Sequence, residues 1–440
     1  MSETRRHSYR IYPTEEQNIL LRETIGSARL IYNESLSFAK TLYENGQDYP
    51  KYKGFSKHIT EMKALDEYAF LKRVDKWALQ NAAKDLDTAF ENFFSKRAGY
   101  PTFKSKHCHR QSYRSTNSGN SIRVEDKTIR LPKVGKIRFR GKMRPFERIL
   151  NATVILNPNN TWEISICIET SNIKRKHGDK TIGIDMGIHD FAVVSDGFSF
   201  EHYKGPKALR GAEKLLIKRQ KRISRMKKGS SNRSKERIKL AKLHKHVSAI
   251  RKDYLDKLSR KLVEESQTIS IETLSPKNMV KNHHLAKHIA DASWGMFFHM
   301  LEYKARDAGV NLQRVPKFYA SSQECHVCGY INKVTKDLKV RHVICPVCGA
   351  EYDRDENASL NILRAGSIAS AQAAGHAVCA CGGNVSPKLA VQVEAVLGEA
   401  GTPSIARESH ELQLWEDVNV FSRKKLQIPW VETSLAKFDD

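Results

Sequence analysis

Apolar residues recur at helical spacing along the first hundred residues of the chain. Thr14 and Gln17 have capping-box spacing at the start of a first periodic stretch, which runs to Gly46. A second stretch carries one apolar stripe and stops at Gly99. The stripe comprises Leu79, Ala82, Leu86, Ala89, Phe90 and Phe93. This pattern predicts a helical module at residues 14–104, with the stripes packing helix against helix.

Strand-like alternation flanks this helical region on both sides. Residues 8–13 alternate briefly before Pro13, and segments such as "NATVILNP" and "TWEISICIE" follow later. We predict one β module from residues 1–13 and 105–178. The stretch 100–114 interleaves aromatic and basic residues, which suits a nucleic-acid backbone with exposed bases and equally suits a solvated basic loop.

From Thr181 onward the pattern of apolar residues predicts alternating strands and helices. The stretch "TIGIDMGIHDFAVVSDGFSFEHY" reads as two or three adjacent strands, and residues 205–266 read as helical. "TISIETL" and "NLQRVPKFY" are further strands, and a helix between them ends at Gly309. The pattern predicts an α/β domain at residues 179–320 and 350–366. Beyond Gly366 the composition turns to Ala, Gly and Ser, so residues 367–440 are predicted to be a flexible tail.

The excess of basic over acidic residues indicates which classes of molecule the protein is expected to bind. Lys and Arg number 75 against 49 Asp and Glu, a net charge of +26, which favours polyanions but is also typical of ribosomal and membrane-surface proteins. Residues 214–245 hold fourteen cations and one acid, Glu236, and such a run repels itself without a polyanion. No apolar leader or membrane-length run is evident, so a cytosolic protein is expected.

Four of the eight cysteines form two CxxC pairs with sixteen residues between them. Eight cysteines are too few for a disulfide scaffold in a chain of this length, whereas paired CxxC units are typical of zinc ligands. A glycine follows each pair, as knuckle turns require. We therefore predict a structural zinc in an insertion at residues 321–349, closed to substrate because every ligand is a thiolate. Its ligands are Cys325, Cys328, Cys345 and Cys348.

Two acids lie at the ends of apolar strands. Asp185 ends "TIGID" and Glu272 follows "ISI", and burying an unpaired carboxylate there is costly. One interpretation is an ion pair with one of the many cations. The other is a cage of oxygen ligands for a divalent cation, of the kind that suits Mg²⁺.

A third acid lies in "DRDEN". Asp353 and Glu356 have the spacing of an N-cap and its capping-box partner, so Asp353 is predicted to start a helix and Asp355 to project from the first turn. Asp355 is favoured as the ligand, although it would also complement the helix dipole and Asp353 stays an alternative. Three carboxylates in a basic protein indicate phosphodiester hydrolysis assisted by two Mg²⁺ ions. No role is assigned to the histidines, His283, His284 and His288, or to two tail cysteines, Cys379 and Cys381.

In this order the motifs resemble a known family. "GIDMG" with Asp185, "IETL" with Glu272 and "CPVCGAEYDRDENASLNIL" with Asp355 resemble the three motifs of a RuvC-type, RNase H-like nuclease of the TnpB family. That family is carried by insertion sequences and is related to type V CRISPR effectors. The resemblance extends to "YRIYPTEEQ", "WGMFFHMLEYKARDAG" and "YASSQECHVCG", and it covers roughly residues 8–366.

The resemblance implies a multidomain α+β protein. It would contain a β-barrel-like wedge module that binds RNA, a helical recognition module, and an RNase H-like (RuvC) α/β nuclease domain with a zinc-ribbon-like insertion. The implied activity is RNA-guided cleavage of double-stranded DNA beside a short adjacent motif. The guide RNA comes from the element's own locus, and the protein acts as a monomer in the ribonucleoprotein, associated with the prokaryotic nucleoid.

Two rival functions remain open at this point. The first is a metal-dependent transposase or junction resolvase that acts on element ends without a guide. The second is a nucleic-acid-binding repressor whose acids are structural. All three acidic positions are filled, which favours a nuclease over the inactive relatives that only bind.

Overall fold

The chain folds into two compact units. A computed structural model describes residues 2–106, 111–171, 177–274, 279, 281, 283–317, 319–337 and 339–373. The first unit combines Met1–Ile173 with Leu215–Lys245, and the second combines Lys174–Lys214 with the chain from His246 onward. Each unit is described by itself below.

The first unit contains a seven-stranded sheet in which each paired strand is antiparallel to its neighbour. Its order is β2-β6-β7-β1-β5-β4-β3. Of the described strands β2 and β3 lie at the edges, so hydrogen bonding does not close the sheet into the predicted barrel. The strands are β1 (Ser2–Tyr12), β2 (Gln111–Thr116), β3 (Arg123–Glu125), β4 (Thr128–Leu131), β5 (Gly135–Arg140), β6 (Arg148–Leu156) and β7 (Trp162–Ser171).

The two helical stretches predicted for the first unit are present, with one further helix between them. They are α1 (Glu15–Glu44), α2 (Lys51–Ala64) and α3 (Lys76–Phe94), with a 3₁₀ helix at Asp66–Lys72. The capping box is confirmed, because Thr14 Oγ1 accepts from Gln17 N–H at 3.3 Å and Gln17 Oε1 accepts from Thr14 N–H at 3.1 Å. One apolar cluster joins Leu36 and Leu86 of the helices to Ile164 of the sheet. The predicted boundary at 104/105 therefore lies within one packed core.

The second unit is built on a five-stranded sheet with the order β10-β9-β8-β11-β12. The β8, β11 and β12 strands pair in parallel, whereas β9 and β10 are antiparallel additions at one side. The strands predicted from Thr181 onward are confirmed and give a mixed α/β fold. They are β8 (Lys180–Asp185), β9 (Ala192–Ser195), β10 (Phe200–Tyr203), β11 (Ser266–Glu272) and β12 (Asn311–Val315).

The long helical stretch after β10 is two helices, because the chain turns at Gly229, where φ is +83°. Their central portion, Leu215–Lys245, belongs to the first unit, although the predicted nuclease segment 179–320 included it. No described helix has the length and apolar content needed to cross a membrane. The helices after β10 are α4 (Ala208–Arg225), α5 (Ser231–Glu265), α6 (His283–Ala292), α7 (Trp294–Ala308) and α8 (Arg354–Ala373).

Helix α8 lies directly against the sheet at two glycines. A Cβ on Gly183 of β8 would lie 2.3 Å from the Ser359 carbonyl oxygen, and a Cβ on Gly366 would lie 1.9 Å from Ser270 Oγ. Gly366 was interpreted as the end of the domain, but here it permits close packing, and α8 continues to Ala373. The tail beyond, with its predicted flexibility, lies outside the described residues.

Gly183→Ala is expected to destabilise the second unit. The new methyl would meet backbone atoms of Ser359 and Leu363, which cannot move without shifting α8. Such overpacking costs about 1–3 kcal/mol of unfolding free energy, measurable by thermal or urea denaturation. Gly211→Ala on α4 is the control, because its Cβ meets nothing within 4 Å and alanine favours a helix. Equal stability of the two variants would contradict this packing.

Candidate metal centres

Asp185 and Glu272 end two neighbouring parallel strands and project from one face of the sheet. Ile184 pairs with Ile271, so the acids that follow are opposite each other across β8 and β11. Side chains alternate along a strand, and therefore Asp185 shares the face of Gly183, against which α8 packs. Glu272 likewise shares the face of Ser270, which meets the same helix. The structure thus brings both predicted acids under α8.

The environment of these two acids disfavours their charged forms. Burial raises the pKa of Asp185 well above its usual value, and the charges of Glu272 and Asp355 raise it further. The positive charge of Arg354 opposes that shift. Burial also raises the pKa of Glu272, while the Ser321 hydroxyl, which donates to Glu272 Oε1 at 2.6 Å, lowers it. Two half-buried carboxylates therefore repel each other where water screens them poorly.

Asp353 takes the place that its spacing predicts, whereas Glu356, the predicted capping-box partner, faces a histidine instead. Asp353 Oδ1 accepts from the backbone N–H groups of Asp355 at 2.8 Å and Glu356 at 3.2 Å, so Asp353 is confirmed as the N-cap of α8. The Glu356 carboxylate faces His202 Nε2 at 3.1 Å. Asp355 lies in the first turn of α8, near enough to Asp185 to raise its pKa.

Two arginines that the sequence patterns did not predict donate hydrogen bonds to Asp355. Arg354 donates from Nε at 3.2 Å and from Nη2 at 3.0 Å to Asp355 Oδ1, and Arg341 Nη1 donates to Oδ2. Only 9% of the Arg354 side chain and 13% of the Asp355 side chain are exposed, so this pair is screened little by water. The position of Arg354 between two aspartates in "DRD" is the sequence feature that could have predicted this ion pair.

The three acids suit a divalent cation, although their oxygen atoms are not gathered to ligand distance. Among the described residues, the group whose ligand atoms lie within 4.8 Å of one another is the cysteine set and does not include these carboxylates. Asp355 is turned to its arginines and Glu272 to Ser321. The donor chemistry fits Mg²⁺, because carboxylate oxygens are its preferred protein ligands and a cation would relieve the repulsion at Asp185.

The four predicted cysteines do form one cluster. The Cys325–Cys348 Sγ atoms lie 3.8 Å apart and the Cys328–Cys345 Sγ atoms 3.5 Å apart. A tetrahedral zinc with Zn–S bonds of about 2.3 Å requires S–S distances near 3.8 Å, so the cluster fits zinc.

Two matching turns build that cluster. The N–H of Gly329 donates to the Cys325 carbonyl, and the N–H of Gly349 donates to the Cys345 carbonyl, each at 2.9 Å. Both glycines have positive φ, 75° and 71°, which the absence of a side chain permits. The second turn lies within a short hairpin of β13 (His342–Ile344) and β14 (Glu351–Asp353), which delivers the chain to α8.

His202 on β10 lies between two acids, one of which is the neighbour of Asp355 in the chain. Its Nδ1 is 2.9 Å from Asp190 Oδ2 and its Nε2 is 3.1 Å from Glu356 Oε1. The hydrogen bond to Asp190 raises the pKa of His202, burial opposes it, and Glu356 raises it again. His202 thereby links β10 to the residue that follows Asp355.

The structure supports a nucleic-acid surface more clearly for the cationic run (residues 214–245) than for the aromatic–basic stretch (residues 100–114). Glu236, the one acid in the run, is 3% exposed and pairs with Arg219 at 3.1 Å and Lys239 at 3.0 Å, leaving a large positive excess. Tyr113 of that stretch lies on β2 and is 4% exposed within the first unit's core, so it does not offer a stacking face. Phe103 is 52% exposed and lies beside the Lys40 ammonium.

Zinc content tests the cysteine cluster. The parent chain should carry one zinc per molecule, and Cys345→Ser should lose most of it, because three thiolates leave the tetrahedron incomplete. Elemental analysis after desalting measures this. Cys167→Ala, a buried cysteine of β7, should keep the full zinc content. Full zinc occupancy in Cys345→Ser would contradict the site.

The His202 contacts predict a pH-dependent contribution to stability. The pKa of His202 is raised in the folded chain, so protonated His202 stabilises the fold fully below about pH 6.5, its unfolded value. That contribution is lost as the pH rises through the folded pKa. The melting temperatures of parent and His202→Gln should differ most at acidic pH and converge at alkaline pH. His299→Gln, exposed on α7, is the control, and a difference for His202→Gln that does not change with pH would refute the interpretation.

Three family models match the chain. They are described as "Probable transposase" at residues 165–283, "Cas12f1-like, TNB domain" at 294–362 and "Helix-turn-helix domain" at 1–48. The second match contains the cysteine cluster and the start of α8. Residues 2–44 of the third form β1 and the single long helix α1, so the described part of that match is not a helix-turn-helix.

Curated relatives match nearly the whole chain. A Streptomyces pristinaespiralis protein named "Putative RNA-guided DNA endonuclease" is 36% identical over 87% of this chain and 92% of its own length. The Escherichia coli K12 protein "Putative RNA-guided DNA endonuclease InsQ" is 31% identical over 85% of this chain and 93% of its own.

A solved structure supports the same fold at lower identity. The "Cryo-EM structure of the Cas12f1-sgRNA-target DNA complex" contains a chain that is 14% identical, with a TM-score of 0.50, and the match covers 82% of this chain and 99% of that one. With the two relatives above 30% identity, these matches agree with the three-motif resemblance. The chain belongs to the TnpB family of transposon-associated proteins.

Proposed function

We propose that this chain is an RNA-guided DNA endonuclease encoded by a transposable element. The names of its two curated relatives support the activity, and their matches span more than nine-tenths of each relative. The observation that carries the proposal within the chain is the proximity of Asp185, Glu272 and Asp355. Two of these acids end adjacent parallel strands, and the third lies in the first turn of α8, near enough for its charge to raise the pKa of Asp185.

Asp185, Glu272 and Asp355 are proposed to hold two Mg²⁺ ions. Once bound, the ions would supply an activated water and stabilise the leaving oxygen of the scissile phosphodiester. The carboxylates bind and orient the ions, and the Ser321 hydroxyl fixes the direction of Glu272. Arg354 offsets negative charge at Asp185 and Asp355. No histidine or serine nucleophile is needed for this reaction.

The second unit is proposed to be the nuclease domain, with an RNase H-like (RuvC) fold. The strand order β10-β9-β8-β11-β12, with acids at the ends of β8 and β11, supports this assignment. Of the predicted segments 179–320 and 350–366, residues 215–245 belong to the first unit, and the rest is the proposed extent of the nuclease domain. The zinc of residues 321–349 is proposed to be structural in a ribbon-like insertion.

The remaining modules are proposed to hold nucleic acid. We assign guide-RNA binding to the β-rich module of residues 1–13 and 105–178, and recognition to the helical module of residues 14–104. The excess of cations in residues 214–245 supports contact with phosphates. Base pairing of the guide would select the double-stranded DNA target, while the protein would read a short adjacent motif. A monomeric ribonucleoprotein in the cytoplasm, associated with the nucleoid, stays a prediction.

Cleavage by the ribonucleoprotein tests the proposal. The full chain, expressed with its flanking locus, should copurify with RNA from that locus and cut a matched plasmid in the presence of Mg²⁺. Asp185→Asn should lower the rate by more than the roughly 10- to 100-fold that losing an outer partner of a metal ligand costs. Gel analysis of plasmid and sequencing of the RNA are the measurements.

Asp179→Asn is the matched control for the cleavage assay. Asp179 is an exposed acid just before β8, at the opposite end of the strand from Asp185, and its loss should leave the rate unchanged. Cleavage without locus-derived RNA would favour an unguided transposase or resolvase. Binding without cleavage would leave a repressor as the better account. An Asp185→Asn variant as active as the parent would overturn the assignment of the acids to catalysis.

A further inference from the structure

A short segment contacts both Glu272 and α8, the helix that carries Asp355. It precedes the first zinc knuckle, the turn of residues 325–329. This segment, Ser321–Glu324, ends one residue before Cys325, so a zinc bound by Cys325 holds its end. Ser321 is 4% exposed, and its hydroxyl donates to Glu272 Oε1 at 2.6 Å. The segment thus connects the zinc cluster to the acid that ends β11.

The same segment is fastened to α8 by two buried amides. Asn361 donates from Nδ2 to the carbonyls of Ser321 at 2.8 Å and Glu324 at 2.6 Å, and Asn357 donates to the Glu324 carbonyl at 2.8 Å. The two asparagines are 1% and 0% exposed and lie one turn apart on one face of α8. Arg364, a further turn along, pairs with the Glu324 carboxylate.

The first knuckle is tied to α8 as well. The backbone N–H of His326, between the cysteines of the first pair, donates to Asn357 Oδ1 at 2.9 Å. Since buried amides lose their partners only at a large cost, these contacts fix the segment against the helix that carries Asp355. The position of the Ser321 hydroxyl is therefore set by α8 and by the zinc knuckle together.

We infer that Ser321 is a positioning residue for the magnesium centre and that zinc binding is coupled to magnesium affinity through it. The inference rests on the proposed function only in taking Glu272 and Asp355 as ligands. Hydrogen-bond partners of metal ligands orient those ligands, and their loss typically weakens metal binding. Because Ser321 directs Glu272 while Asn357 and Asn361 hold Ser321 on the helix of Asp355, the zinc knuckle helps fix how the two ligands face each other. Coupling between two sites is reciprocal, so loading either metal should favour the other.

Mn²⁺ binding to the full chain tests the inference without requiring cleavage. Titration of Mn²⁺ followed by electron paramagnetic resonance gives the affinity for a stand-in of Mg²⁺. Ser321→Ala should raise the Kd for Mn²⁺ by roughly 10-fold or more, while zinc content stays at one per chain. Ser321→Thr keeps the hydroxyl and should restore most of the affinity. Ser322→Ala, the half-buried neighbour, should bind Mn²⁺ like the parent.

Zinc removal provides a second measurement that does not depend on a substitution. Parent chain stripped of zinc and desalted should bind Mn²⁺ more weakly, and one equivalent of zinc should restore its affinity. In cleavage assays of Ser321→Ala, the Mg²⁺ concentration for half-maximal rate should rise more than the rate at saturating Mg²⁺ falls, because positioning affects binding first.

The outcomes separate this inference from the proposed function. Mn²⁺ affinity of Ser321→Ala within twofold of the parent, or an affinity unaffected by zinc removal, would overturn the coupling and leave the nuclease proposal intact. A parent chain that binds no Mn²⁺ would overturn the proposed magnesium centre and the coupling together. If Mn²⁺ binds more weakly both to Ser321→Ala and after zinc removal, but the parent shows no guided cleavage, the coupling is supported and the proposed activity is rejected.

Discussion

The repulsion between Asp185 and Glu272 is the constraint around which the second unit is organised. Parallel pairing of β8 and β11 places their terminal acids side by side, and burial removes the water that would screen them. Neutralising charge must come from elsewhere in the fold. Helix α8 brings Arg354 to the site, but it also brings a third acid, Asp355, so the protein charges alone leave the strand-end acids unfavourable. This charge balance supports the proposed binding of a divalent cation at the ends of β8 and β11.

Local patterns predicted the elements of this site but not their contacts. Apolar runs located β8 and β11 and showed that each ends in an acid, and the spacing in "DRDEN" identified the Asp353 cap. The cysteine spacing likewise predicted a cluster that the fold forms. The pairing of β8 with β11 carries no local signal, because the acids are 87 residues apart (272 − 185), with two strands and two long helices between them.

What sequence reading missed depends on tertiary packing. Arg341 and Ser321 belong to common surface types, and nothing periodic marks them as partners of Asp355 and Glu272. The domain boundary was placed at Gly366 because the composition beyond it turns to Ala, Gly and Ser, yet Gly366 lies inside α8 and allows that helix to approach Ser270 closely. Tyr113 looked available for stacking because its neighbours in sequence are basic, but strand alternation turns it into the core.

The hydrogen bonds of Asp353 bear on which aspartate would complete the proposed magnesium site. One of its carboxylate oxygens accepts two backbone N–H groups at the start of α8, and turning it toward the sheet would leave those donors unsatisfied. Among the described residues the partners of the Asp355 carboxylate are arginine side chains, so no N–H group of the helix depends on it. Exchanging side-chain partners for a divalent cation requires no unwinding of the helix. The capping geometry therefore favours Asp355 as the third ligand and gives Asp353 the separate role of holding the first turn in place.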